Sequence, residues 1–138
     1  MLYSKYCEYS IMAMTYLCQK SQNKEYVMIK DIAEKTKIPY HFLSKIFQDL
    51  ANTDWVDSKK GKKGGVTLKV DAKTLKLIEI IKWSDGLDGF KRCIIGGDNE
   101  CGRDIKCNMH HKCSSLRNQI LSFFEKMSIY DVAEMDHF

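Results

Sequence analysis

Proline occurs once in these 138 residues, and the eight glycines follow no period. Collagen-like and proline-rich linker structures are thereby excluded. Long hydrophobic runs are missing too. The longest uncharged apolar stretch, Tyr9 to Gln19, has eleven residues, whereas a membrane-spanning helix needs about 20. Lys5 and Glu8 interrupt the place where the apolar part of a secretion signal would lie, so the expected location is the cytoplasm, with no membrane partner. No nucleophile–base–orienter set and no phosphate-binding glycine loop stands out, and no enzymatic activity is expected. What the chain does have is a 44% share of hydrophobic residues. That suffices for one buried core and argues against disorder.

The net charge is +4, too small to decide anything by itself. Its distribution is uneven: residues 59–76 carry seven lysines (59, 60, 62, 63, 69, 73 and 76) against the single acid Asp71. Such a concentration beside glycines is either a solvated surface loop or a nucleic-acid contact.

The pattern of apolar residues is mainly helical. Residues 3–20 are apolar on nearly every face, with Tyr6, Tyr9, Ala13, Tyr16 and Leu17 in one stripe and Cys7, Ile11, Met14 and Cys18 in another. A helix of that kind is buried on several sides, here by its own domain and by a second subunit, and Cys7 and Cys18 read as core residues. A helix over Ile29 to Lys37 and another over residues 40–51 follow, separated by the turn Lys37-Ile38-Pro39, with Pro39 suited to a first helical turn. In the second of these, Phe42, Leu43, Ile46, Phe47 and Leu50 form the apolar stripe, leaving Tyr40, His41, Ser44, Lys45 and Gln48 outside. Helix, short turn and helix with a polar outer face is the helix-turn-helix plan, whose second helix can enter a major groove.

Trp55 to Ser58 and Val66 to Val70 have strand composition and flank the loop KKGKKGG. A hairpin directly after a helix-turn-helix is a wing, and Lys59, Lys60, Lys62 and Lys63 at its tip suit phosphates. Tyr40, His41, Ser44 and Lys45 are the candidates for base edges. Further helices are expected over residues 73–83 and 114–127, the latter striped by Leu116, Ile120, Phe123, Phe124 and Met127. That stripe needs a partner, the first helix of the same subunit or of a second one.

Six cysteines are many for a reducing compartment, where clustered thiols point to metal or redox chemistry. Cys93, Cys101, Cys107 and Cys113 fall within 21 residues, with His110 and His111 among them. Three thiolates and an imidazole complete a four-ligand site for zinc or for an iron–sulfur cluster. The gaps of seven and five residues between Cys93, Cys101 and Cys107 are wide for a zinc knuckle and better suit a larger cluster. If residues 107–113 start a helix, Cys107, His110 and His111 share a face. Cys113 then points about 120° away from Cys107. His110 is therefore the better fourth ligand and Cys113 the spare.

Four stretches together, YCEYSIMAMTYL, IKDIAEKTKIPYHFLSKIFQDLANTDWV, KKGKKGGVTL and CIIGGDNECGRDIKCNMH, resemble the iron–sulfur cluster regulator family (IscR, NsrR and BadM) of bacterial winged-helix transcription regulators. The resemblance runs over essentially the whole chain. It implies a mainly α fold with a small β-hairpin wing, a winged helix-turn-helix in each subunit of a homodimer, and a long C-terminal dimerisation helix. It implies a palindromic double-stranded operator. It also implies that Cys93, Cys101 and Cys107 hold an iron–sulfur cluster. The fourth ligand is His110, as in members with a histidine just past the last cysteine, or alternatively Glu8, where other members use an acidic side chain of the second subunit. A [2Fe–2S] cluster is expected, with [4Fe–4S] as the alternative. Lys37 and Asp54 stand where relatives often have glycine.

The expected organisation is one compact domain: residues 1–84 as the winged helix-turn-helix, 85–113 as the cysteine-rich loop and 114–138 as the dimerisation helix and tail. The function expected is a dimeric regulator whose operator affinity is set by the cluster. Alternatives are a regulator with structural zinc or thiol–disulfide sensing, and a small iron–sulfur electron carrier.

Overall fold

The structure, a computed structural model, describes residues 2–21, 23–95, 101 and 107–135. Six helices and one hairpin follow in the order α1 (Lys5–Lys20), α2 (Ile29–Thr36), α3 (Tyr40–Leu50), β1 (Val56–Lys59), β2 (Gly65–Leu68), α4 (Leu77–Ser84), α5 (His110–Lys126) and α6 (Ile129–Met135), with a short 3₁₀ turn at Asp88–Phe90 between α4 and α5.

Helix α1 is the central pillar. Ser4 caps it, its hydroxyl accepting from the Cys7 amide at 3.2 Å and donating to Asp85 Oδ1 at 2.7 Å, so the cap also latches the end of α4. Helices α2, α3, α4 and α6 and strand β2 pack around it, which buries Cys7, Ala13, Met14 and Leu17 completely. Burial of α1 on several sides is thus accomplished within one chain. The Ser10 and Thr15 hydroxyls inside it donate to the carbonyls of Tyr6 and Ile11 at 2.8 Å each, so these buried polar groups carry little desolvation penalty.

The main core joins Met14 and Leu17 of α1 to Ile32 of α2, Leu43, Ile46, Phe47 and Leu50 of α3, Val66 of β2 and Ile129 of α6. Fully burying one such side chain contributes roughly 1.5–3 kcal/mol, and four on one side of α3 fix which face that helix turns outward. Phe42 does not belong to this set. It is 47% exposed, its ring packed instead on His41 and Tyr9 at centroid distances of 4.8 and 6.1 Å. Pro39 is the N-cap of α3 rather than part of its first turn.

The hairpin pairs antiparallel from Val56 with Leu68 to Lys59 with Gly65. Its root is fastened to the body by a bridge in which Val27 and Val66 exchange amide–carbonyl bonds of 2.8 and 2.9 Å. Helix α4 begins at Leu77, four residues later than expected, because Asp71 organises a turn: its carboxylate accepts from the Lys73 amide and its carbonyl from the Thr74 hydroxyl. Helix α5 begins four residues earlier than expected, at His110. Its inner residues Ile120, Leu121 and Phe124 pack with Cys7 of α1, Ile81 of α4 and Phe90 in a second apolar cluster. Helix α6 was not anticipated.

Candidate DNA interface and cysteine site

The turn between α2 and α3 is made by one residue. Lys37 closes α2 in the left-handed region, with φ 61° and ψ 15°, in the place where the family resemblance puts glycine. The Thr36 hydroxyl donates to the Ile32 carbonyl at 2.7 Å and accepts from the Ile38 amide at 3.4 Å, and Ile38 is buried. Asp54, by contrast, does not take a positive φ.

On α3 the residues Tyr40, His41, Lys45 and Gln48 are exposed and Ser44 is half-buried, so the outward face expected from the sequence forms. Two features were missed. Phe42 adds an aromatic surface beside Tyr40 and His41. Lys45 is engaged: its ammonium sits 2.8 Å from Asp49 Oδ1, while Tyr6 of α1 donates its hydroxyl to Asp49 Oδ2 at 2.7 Å. The Lys45 bond first, and the Tyr6 bond second, hold the Asp49 carboxyl below its ordinary range. No sequence period could show that α1 reaches the acid partner of Lys45.

All four wing lysines, Lys59, Lys60, Lys62 and Lys63, are exposed around the hairpin tip. Lys59 leans over the Tyr26 ring at 5.7 Å. Gly61 and Gly65 take φ of 107° and 139°, and a Cβ on Gly64 would lie 2.1 Å from the Lys59 carbonyl oxygen. The tip is a tight glycine turn that splays lysines outward.

None of the six cysteines is joined in a disulfide. Burial pushes the Cys7 thiol up to about 11, against a smaller opposing hydrogen bond to Ser84, and burial likewise raises Cys18. Both are protonated core groups, as their positions in α1 require. The other four are placed differently. The Cys101 amide donates to the Lys91 carbonyl at 3.0 Å, which brings Cys101 beside the segment carrying Cys93. Cys101 Sγ lies 3.5 Å from His110 Nδ1, and the His110 amide donates to the Cys107 carbonyl at 3.0 Å. Cys101 is thus placed between the segment that carries Cys93 and the imidazole at the head of α5. Cys93 and Cys101 are half-buried and Cys107 is exposed. Among the described residues no three Cys, His, Asp or Glu side chains come within joint reach of a metal ion; the pair drawn together is Cys101 with His110. The intervening residues 96–100 and 102–106 lie outside the described residues.

Cys107 precedes α5 instead of sharing a helical face with His110, so the expected phase relation between them does not arise. Cys113 is buried on the inner side of α5, and His111 stands edge-on to His110 at 5.6 Å. Glu8 is committed locally, to Lys5 at 2.9 Å. Soft, uncrosslinked sulfur donors with an imidazole already touching one of them fit an iron–sulfur cluster or a zinc ion.

Beyond these sites, no helix among the described residues is long and apolar enough to cross a membrane. Comparison with known proteins gives the same architecture. A helix-turn-helix-type transcriptional regulator of Aquifex aeolicus is 28% identical over 138 residues, spanning 99% of this chain and 94% of its own. The transcriptional regulator NsrR of Bacillus licheniformis is 25% identical over 135 residues, spanning 97% of this chain and 94% of its own. The solved structure of CymR, the global cysteine regulator of B. subtilis, superposes with a TM-score of 0.77 at 19% identity and covers 99% of both chains. Residues 3–135 match the Rrf2 family, described as iron-dependent transcriptional regulators. With a helix-turn-helix whose second helix is exposed on one face, and a lysine-tipped wing beside it, the chain belongs to the Rrf2 family and is a DNA-binding winged-helix transcriptional regulator rather than an enzyme.

Proposed function

We propose that this regulator works as a homodimer in the cytoplasm, and that an iron–sulfur cluster held by Cys93, Cys101, Cys107 and His110 sets its affinity for a palindromic operator. The observation that carries the reading is the 3.5 Å approach of His110 Nδ1 to Cys101 Sγ at the head of α5. A helix N-terminus favours negative charge there, which suits thiolate ligands. Glu8, bonded to Lys5, is the weaker candidate for the fourth position. When bound, a cluster would supply one-electron chemistry and sensitivity to oxidants.

In this reading Tyr40, His41, Ser44 and Lys45 face base edges, and Lys59, Lys60, Lys62 and Lys63 bind phosphates. Lys45 exchanges Asp49 for DNA, and Phe42 widens the apolar surface available to thymine methyls. Dimerisation is supported by Leu116 and Phe123 of α5, which stay 49% and 53% exposed while Ile120 and Phe124 pack inward. Coupling between cysteine loop and DNA is supported by continuous packing. Phe90, just before the loop, packs with Cys7 of α1, and the preceding residue of that helix, Tyr6, holds Asp49 of α3. Two arrangements of that chain, one per cluster state, would make the control allosteric in the strict sense.

A second reading, thiol or zinc sensing, is supported by the fold shared with a cysteine regulator. Anaerobic purification with iron, sulfide and zinc analysis separates the two. The cluster reading expects a brown protein with equimolar sulfide, and a colourless protein with only zinc or no metal overturns it. Serine substitution at Cys93, Cys101 or Cys107 should abolish iron binding, while Cys113→Ser retains it. His110→Ala should alter the visible spectrum more than Glu8→Ala.

A further inference from the structure

Among the described residues Arg117 is the only charged side chain that is buried, at 9% exposure. It lies on α5 one turn past buried Cys113 and one turn before the apolar positions Ile120 and Leu121, which pack with Ile81 and Phe90. Arginine is rarely placed in such surroundings without an acid partner, because an uncompensated buried cation is costly. Here no carboxylate among the described residues pairs with it. Its described hydrogen bond runs from Nη1 to the Arg92 carbonyl oxygen, at 3.0 Å. That carbonyl belongs to the residue before Cys93, and the neighbouring carbonyl of Lys91 accepts from the Cys101 amide. One guanidinium thus reaches from the dimerisation-side helix to the backbone that carries two of the proposed ligands. A carbonyl offers a dipole and no charge, so the cation still wants an anion. Ligated thiolates would provide it: each metal-bound cysteine has lost its proton and contributes negative charge.

We infer that Arg117 is the buried counter-charge and backbone clamp of the cysteine site, a positioning residue that ties ligand state at Cys93 to the placement of α5. This rests on the cluster reading above. It predicts opposite effects in the two states of the protein. Without cluster, Arg117 is a buried charge with no carboxylate partner among the described residues, and an apolar residue of similar length should be tolerated or stabilising. With cluster, losing the cation and the clamp should weaken iron binding about ten- to hundredfold, the usual penalty for removing an outer partner of a metal site. It should also lower the reduction potential, since the added electron loses a nearby positive charge.

The experiment compares full-length wild type, Arg117→Met and Arg117→Lys. Each is melted metal-free, then reconstituted anaerobically with ferrous iron and sulfide, assayed for iron retention against a chelator and titrated for midpoint potential. Expected are an apo melting temperature for Arg117→Met equal to or above wild type, faster iron loss and a lower potential. Arg117→Lys, keeping charge without the planar fork, should fall between them. A merely structural arginine predicts the reverse: Arg117→Met melts lower without metal, and retention and potential follow wild type. That result would overturn the inference, as would Arg117→Lys matching wild type in retention and potential should Arg117→Met not fold. Failure of wild type itself to take up iron overturns the cluster reading and this inference together, so the two failures are distinguishable.

Discussion

Lys37 offers the sharpest test of how the helix-turn-helix is built. Its φ of 61° and ψ of 15° place a side chain with a Cβ in the left-handed region, at a cost of about 1–2 kcal/mol per residue, which glycine does not incur. The residue is exposed, and no described ion pair or side-chain hydrogen bond depends on its ammonium, so Lys37→Gly removes strain without removing a contact. Against this, glycine frees the unfolded chain by about 0.4–1 kcal/mol. The balance favours the variant by about 0.5–1 kcal/mol. For a chain of 138 residues that corresponds to a melting temperature raised by roughly 2–4 °C. The control is Lys37→Ala, which loses the same ammonium but keeps the Cβ, and should melt within a few tenths of a kcal/mol of wild type. Thermal unfolding and urea titration of the DNA-free protein, with m-values compared to confirm the same exposed surface, supply the readout. Were the glycine variant to melt no higher than the alanine one, the left-handed geometry would carry no strain, and the account of the α2–α3 turn would fall.

Gly65→Ala should do the opposite. At φ 139° its Cβ would stand 2.2 Å from the Val27 carbonyl oxygen, so the Val27–Val66 bridge should open at a cost of at least about 2 kcal/mol, read as lost hydrogen-exchange protection at the Val66 amide; intact protection sinks the idea. Lys62→Ala and Lys63→Ala should each reduce the salt slope of DNA binding by about 0.9 per lost phosphate contact, on operator and random duplex alike, whereas Ser44→Ala should lower operator preference and leave the slope. An unchanged slope removes the wing from DNA. The Asp131 carboxyl is held below its ordinary value of 3.8 by the Ser128 amide and then by its hydroxyl. A depressed folded pKa means the contribution is full above the unfolded value and is lost as pH falls through the folded one. Asp131→Asn should therefore flatten the decline in melting temperature below about pH 4, and a variant with the wild-type acid limb contradicts the cap.

How much of this was legible follows from which forces act locally. Leu43, Ile46, Phe47 and Leu50 repeat at helical spacing, and burial of that face is what periodicity measures. Phe42, next to Leu43, lies at the edge of the same stripe; Tyr9 and His41 drew it outward, and neither contact has a sequence period. The late start of α4 was available in principle, since Asp71 two residues before an amide it can accept from is a turn signal that competes with helix. Helix α6 was available too. Ser128 and Asp131 form a reciprocal cap, with the Asp131 amide donating to the Ser128 hydroxyl at 3.1 Å and Asp131 Oδ2 accepting from the Ser128 amide at 2.8 Å, the spacing of a capping box. At seven residues the helix was too short for its apolar stripe to announce it. The head of α5 is a different case: Met109 makes no side-chain cap bond, and what stops the chain there is the His110 amide closing on Cys107. That contact, Cys101 against His110, and Arg117 under the loop all depend on where α5 lies relative to residues 91–101, which is tertiary information. The candidate donors and their spacing could therefore be read from the cysteines, but the buried cation at the Arg92 carbonyl could not. In the sequence Arg117 is one more polar residue on an amphipathic helix, and only its burial beside the Arg92 carbonyl gives its charge a purpose.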